Sequence, residues 1–238
     1  MSPKHSKRFN TAVAEIDAEQ KYGPTEAIAL VKKTASTNFD ETIELHLRTS
    51  ADPRHADQQL RGVATLPAGL GKTVRVAVFS AGEGARLASQ AGAEVVGADD
   101  LIERVEGGFL EFDVAIATPD MMGKIGKLGR ILGRKGLMPN PRTNTVVQEG
   151  DIGSAVGEAK KGRVELRMDR TAIIHSPVGK ASFDDSQLME NLTAIIDTVN
   201  ELRPSAIKGA FVKTAYLTST MGPSVPLDLA STLTLKTE

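Results

Sequence analysis

The chain has 238 residues, 40% hydrophobic and 25% charged, which is enough apolar side chain for one large or two small cores and too much for a disordered chain. The absence of cysteine excludes disulfides, thiolate metal sites and cysteine nucleophiles, and fits a reducing compartment such as the cytoplasm. A formal net charge of -1 and a pI near 6.5 argue, taken as sums, against a nucleic-acid partner.

At the N-terminus, Lys4, His5, Lys7 and Arg8 are followed by Ala12, Val13 and Ile16 interrupted by Glu15 and Asp17, so no signal peptide is expected. No segment approaches the ~20 apolar residues of a membrane span. Gly23-Pro24-Thr25-Glu26 reads as a helix start, and Ala27, Leu30, Val31, Thr34 and Ala35 follow at helical spacing. Ile43, Leu45 and Leu47 then alternate with Thr42, Glu44, His46 and Arg48, the period of a strand with one buried and one wet face. A second strand near Val63 to Leu66 ends at Pro67, and Pro67-Ala68-Gly69-Leu70-Gly71 reads as a hinge.

Beyond it strands and helices alternate: Val74 to Phe79, Ala85 to Gln90, Glu94 to Val96, Leu101 to Val105, Val114 to Ala117. That order predicts a parallel α/β sheet. A last helix from Asp151 stops at Lys160-Lys161-Gly162, a second hinge. Strands at Val164 to Met168 and Ala172 to His175 precede a helix capped near Asp185 or Ser186, with Leu188, Leu192, Ile195, Ile196, Val199 and Leu202 on one face. A final strand runs from Ala210 to Thr218. Neither chain end makes a comfortable core alone. The expected architecture is therefore α/β with two domains: a discontinuous split α/β domain, 1–67 plus 160–238, and an inserted parallel-sheet Rossmann-like domain, 68–159.

Several motifs fail on inspection. Gly71-Lys72-Thr73 resembles the end of a P-loop, but Leu66 stands where that loop needs glycine, and a strand follows instead of a helix. Gly82-Glu83-Gly84, with Asp99 or Asp100 downstream, suggests a dinucleotide site and hence an NAD-dependent oxidoreductase as the alternative function. Against it, Leu87 replaces the third glycine and Glu83 puts a carboxylate where pyrophosphate would lie. His5, His46, His55 and His175 show no metal-ligand spacing, and no nucleophile elbow accompanies them.

Charge is segregated along the chain. Met121 to Gln148 contains Lys124, Lys127, Arg130, Arg134, Lys135 and Arg142 with no acid, whereas Glu94, Asp99, Asp100, Glu103, Glu106, Glu111 and Asp113 cluster before it. Glycines between the cations let backbone and short loops approach a phosphate chain that Lys and Arg neutralise. The stretch Thr218-Ser219-Thr220-Met221-Gly222 offers different tools: hydroxyls that donate and accept, a thioether that packs on ribose or base, and a glycine permitting close approach. These suit the 2′-hydroxyls of an RNA minor groove.

The run Gly126-Lys127-Leu128-Gly129-Arg130-Ile131-Leu132-Gly133-Arg134-Lys135-Gly136-Leu137-Met138-Pro139-Asn140-Pro141 resembles the signature of the bacterial large-subunit ribosomal protein one family, the stalk protein. Phe39-Asp40-Glu41-Thr42 with Glu44 and His46, Pro177-Val178-Gly179-Lys180-Ala181-Ser182-Phe183, and Thr218 to Ser224 are similar to the same family. The family is usually more basic, and has Lys where this chain has Asn38. The resemblance implies an RNA surface of Phe39, Thr42, Glu44, Lys180, Thr214, Thr218, Thr220, Met221 and Gly222, with Lys124, Lys127, Arg130, Arg134 and Lys135 as a secondary contact. It further implies no catalysis, cofactor or metal, and a cytoplasmic, ribosome-associated protein that is monomeric outside the ribosome. The implied partners are the large-subunit rRNA stalk, exit-site tRNA whose release it assists, and its own operon mRNA, which it represses.

Overall fold

The structure, a computed structural model, describes residues 6–17 and 19–236; Lys4 and His5 of the N-terminal charge pattern lie outside the described residues. In chain order the elements are α1 (Lys7–Ala14), α2 (Pro24–Thr34), β1 (Thr42–Thr49), β2 (Arg61–Thr65), β3 (Val76–Phe79), α3 (Gly82–Gln90), β4 (Val95–Gly97), α4 (Asp99–Glu106), β5 (Val114–Ala117), α5 (Pro119–Ile125), α6 (Gly129–Lys135), α7 (Ile152–Gly162), β6 (Arg163–Arg167), β7 (Ile173–Lys180), α8 (Asp185–Glu201), β8 (Val212–Ser219), β9 (Ser224–Pro226) and α9 (Leu229–Thr232). They divide into two compact units, Met1–Gly71 with Val164–Glu238, and Lys72–Arg163. The divisions fall at the end of the Pro67–Gly71 segment and one residue past Gly162, four residues beyond the expected boundaries after 67 and 159.

In the discontinuous unit an antiparallel sheet runs β7-β1-β8-β9, and β2 pairs with β6 separately. The inward positions of β1, Ile43, Leu45 and Leu47, join Val31 of α2 and Leu188, Leu192, Ile195 and Val199 of α8 in one core. Removing those side chains from water is the main force closing this unit. Pro24 sits in the first turn of α2, where its missing N–H costs nothing. At the start of α8, Gln187 Oε1 accepts from Asp184 N at 3.1 Å, completing a capping box one residue earlier than the sequence suggests.

Strand β7 runs five residues past the expected His175, because it is an edge strand that tolerates Pro177. The pairing with β1 shifts there: Gly179 lies opposite Ile43 and Pro177 opposite Glu44, leaving Val178 as a bulge. Fully buried Asn191 of α8 supports the bulge, donating to Val178 O at 2.8 Å and Gly69 O at 2.9 Å while accepting from Ala68 N at 3.0 Å. The Pro67–Gly71 segment is thus anchored at Ala68 and Gly69.

In the other unit β4-β3-β5 form a parallel sheet covered on both faces. Val76 and Val78 pack toward Ala88 of α3 and Val156 of α7, whereas Ala77 and Phe79 meet Leu101 of α4 and Ile125, Leu128 and Leu132 on the opposite side. Gly82 takes φ 57°, and a Cβ at Gly84 would stand 2.2 Å from Ser80 Oγ and 2.9 Å from Ile152 Cδ1. A turn and a packing requirement account for these two glycines. Lys72 of the P-loop-like triplet pairs with Asp113 at 2.6 Å.

The basic run is helical where glycine-rich loops were expected. α5, a 3-10 turn over Gly126–Leu128 and α6 follow one another, burying Ile125, Leu128 and Leu132 along one side. Three apolar anchors at helical spacing override the glycines' weak propensity.

Candidate nucleic-acid interface

Antiparallel pairing sets the outward side chains of the four-stranded sheet in rows. Thr42 lies opposite Lys180; Glu44 opposite Pro177 and Thr218; His46 opposite His175 and Tyr216; Arg48 opposite Ile173 and Thr214. All are half-buried or exposed, in contrast to the buried inward positions between them. This open face carries hydroxyls, an aromatic ring, imidazoles and charges of both signs. It offers hydrogen-bonding and stacking surface more than net charge.

At the Thr42 end the loop before β1 meets the turn after β8, and Glu41 clamps the two. Glu41 is 1% exposed, and its carboxylate accepts from Thr37 Oγ1 at 2.9 Å and Thr37 N at 3.1 Å on one side and from Met221 N at 2.9 Å on the other. Burial pushes this carboxyl up, but the hydrogen bonds from Met221 and Thr37 outweigh it and hold the group below the ordinary carboxylate value. Phe39 and Met221, presented by the clamped segments, are 55% and 50% exposed.

Thr220 is exposed, yet its hydroxyl is partly committed: Oγ1 accepts from Thr42 N at 3.0 Å and donates to Thr42 O at 3.2 Å. One lone pair of that oxygen remains for a ligand. Lys180 Nζ donates to Thr42 Oγ1 at 2.9 Å and to Asp40 O at 3.3 Å, and Thr218 Oγ1 to Ser219 O at 3.1 Å. Gly222 has an internal reason to be glycine, since a Cβ there would stand 2.4 Å from Ser219 Oγ. Arg8 of α1 joins the site, reaching Ser36 Oγ at 3.1 Å and Met221 O at 3.4 Å.

The structure thus brings Thr42, Glu44, Lys180, Thr214, Thr218, Thr220, Met221 and Gly222 to one face and its end, with Phe39 on the clamped loop. The five basic-run residues belong to the other unit. Among them Lys124 is paired with Asp99 at 2.7 Å, while Arg130, Arg134 and Lys135 line a shallow recess with Leu110 and Ile131. Sequence reasoning missed Glu41 and Arg8 as site builders. Glu41 carried a signal, as an acid immediately ahead of an amphipathic strand, but its partners lie far along the chain. Among the described residues no group of three or more metal-ligating side chains gathers, and no helix is long and apolar enough to cross a membrane.

Residues 31–223 match the model of the ribosomal protein L1p/L10e family. Large ribosomal subunit protein uL1 of Thermomicrobium roseum is 54% identical over 232 residues, covering 97% of this chain and 96% of that one. The uL1 protein of Chloroflexus aggregans is 53% identical over 235 residues, 98% and 99% of the two chains. That of a Dehalococcoides mccartyi strain is 53% identical over 225 residues, 94% and 95%. With the match running through both units and both chain ends, the chain belongs to the ribosomal protein L1p/L10e family.

Proposed function

We propose that this chain is a structural constituent of the large ribosomal subunit that binds large-subunit rRNA through the open sheet face and the Phe39–Met221 end of the discontinuous unit. The observation that carries the reading is that strand pairing sets Thr42, Glu44, Lys180, Thr214 and Thr218 in rows on one face, while the buried Glu41 carboxylate ties the loop of Phe39 to the turn of Thr220, Met221 and Gly222 at its end. The relatives' names as large-subunit proteins support the same assignment, that of a ribosome-associated protein of the cytoplasm.

The finer reading follows the family resemblance. The discontinuous domain anchors the protein to the rRNA stalk. Lys127, Arg130, Arg134 and Lys135, with Lys124 when released from Asp99, add a salt-sensitive contact from the inserted domain. The assembly escorts deacylated tRNA from the exit site, and the free monomer represses its own operon by binding a stalk-like mRNA structure. Neither chemistry nor a cofactor is assigned. An oxidoreductase reading loses its support where Gly82 and Gly84 have conformational and packing reasons of their own.

The test is a titration of the full chain against a transcript of the rRNA stalk region, with a scrambled RNA of equal length as competitor. Preference for the stalk transcript by at least about a thousandfold, the usual lower range of specific recognition, supports the reading. Equal affinity for both removes it.

A further inference from the structure

In the middle of the open face two histidines meet, 129 positions apart in the chain: His46 of β1 and His175 of β7 are directly paired across the strands. Their Nδ1 atoms are 2.8 Å apart and the rings stand edge to face, with centroids at 5.0 Å. At that distance one Nδ1 donates and the other accepts. The pair therefore holds either no extra proton or one, because two protonated rings would face each other with donors and like charge.

Each outer nitrogen looks toward a carboxylate: His46 Nε2 lies 3.8 Å from Glu44 and His175 Nε2 3.7 Å from Asp169. The other groups around the pair are Tyr216, opposite His46 on β8, and Arg48, two positions further along the same face of β1. The His175 side chain is 51% exposed and so reachable by a ligand lying on the sheet. Burial and then the neighbouring His175 hold His46 below the ordinary imidazole value, against a smaller pull from Glu44.

We propose that His46 and His175 form a one-proton site within the RNA surface, which takes up a single proton when the phosphate backbone covers the face. The inference rests on the reading of that face as the RNA surface. Its logic is linkage. Burial and the facing ring disfavour the charged state of His46 in the free protein, and a polyanion laid over the pair favours it, so the pair's affinity for a proton is higher in the complex than in the free protein. A group whose proton affinity rises on binding strengthens binding fully below its free titration, and that gain is lost as pH rises through its bound value. RNA affinity therefore falls with rising pH between about 5.5 and 8, where imidazoles titrate. The shared geometry limits the effect to one proton, so the slope does not exceed about tenfold per pH unit. Glu44 and Asp169 then serve as counter-charges that hold the shared imidazolium in place.

The experiment measures affinity of the full chain for the stalk-region transcript across that pH range at constant ionic strength, for the wild type, His46→Gln, His175→Gln and the control His55→Gln. The expected result is a pH-dependent wild type, the same dependence in His55→Gln, and a flattened profile in both pair variants. Calorimetry of the wild type in two buffers of different ionisation enthalpy should show close to one proton taken up per complex, and it needs no variant to fold. A flat wild-type profile, an undiminished slope in both pair variants, or uptake of no proton or two overturns the proposal while leaving the RNA surface standing. Absence of stalk binding at every pH overturns the RNA reading and this inference together.

Discussion

Thr42 and Thr220 hold each other across the end of the sheet by three hydrogen bonds: Thr220 N to Thr42 O at 3.0 Å, Thr42 N to Thr220 Oγ1 at 3.0 Å, and Thr220 Oγ1 to Thr42 O at 3.2 Å. The residue expected to read RNA also fastens the turn that displays Met221. Thr220→Ala should therefore lower both stability, by about 1 kcal/mol for the two hydroxyl bonds removed at an exposed position, and RNA affinity. Thr220→Ser should restore both. Chemical denaturation of the three proteins beside their RNA titrations checks this; an alanine variant of wild-type stability would show that the hydroxyl bonds are replaced by water at no cost.

Glu41 carries the clamp. Replacing it with Gln turns one carboxylate oxygen from acceptor to donor opposite Thr37 or Met221, and should cost about 1–3 kcal/mol, with Phe39 and Met221 losing their fixed positions. Because the folded-state proton affinity of Glu41 is depressed, its contribution is present above the unfolded carboxylate value and lost as pH falls through the lower folded value. Acid titrations followed by circular dichroism should show wild type losing more stability than Glu41→Gln as pH drops below about 4.3. Parallel loss in the two proteins contradicts this.

Asn191 fastens the Ala68–Gly69 backbone within the discontinuous unit. Asn191→Leu leaves Ala68 N–H and the Gly69 and Val178 carbonyls without that partner inside the fold, and should cost about 3 kcal/mol. Amide hydrogen exchange at Ala68 should accelerate in parallel. A stable variant with protected Ala68 would mean another group takes over the bonds.

How much of this was legible in the sequence depends on the range of the interaction. The alternation Ile43, Leu45, Leu47 discloses β1 and both its faces, and the alternation of strands with helices from Val74 to Ala117 discloses the parallel sheet. The extension of β7 beyond His175 runs through Pro177, which an edge strand paired on one side accommodates and which local pattern does not disclose. α5 and α6 were hidden by Gly126, Gly129 and Gly133, although Ile125, Leu128 and Leu132 carry the helical spacing. At the site, Thr218 to Gly222 and Phe39 to Glu44 stood out by residue type. The Glu41 clamp, the Arg8 contacts and the His46–His175 pair join distant segments, so local pattern could not disclose them.

The basic run should act through charge. Changing Lys127, Arg130 and Arg134 together to Ala should flatten the salt dependence of binding to a long stalk RNA, by a logarithmic slope of roughly 0.7 to 0.9 for each phosphate no longer neutralised. Preference over scrambled RNA should survive. Collapse of that preference would mean the run reads the RNA itself.

If the Phe39–Met221 end of the sheet is the RNA surface, Met221 is the residue to change, because its side chain is half exposed while its structural bonds run through the backbone. The measurement is the affinity of Met221→Ala for the stalk transcript against the wild type, with thermal unfolding of both. The expected result is a loss of about 1–3 kcal/mol, roughly five- to 150-fold, with an unchanged unfolding temperature. Equal affinity would contradict it.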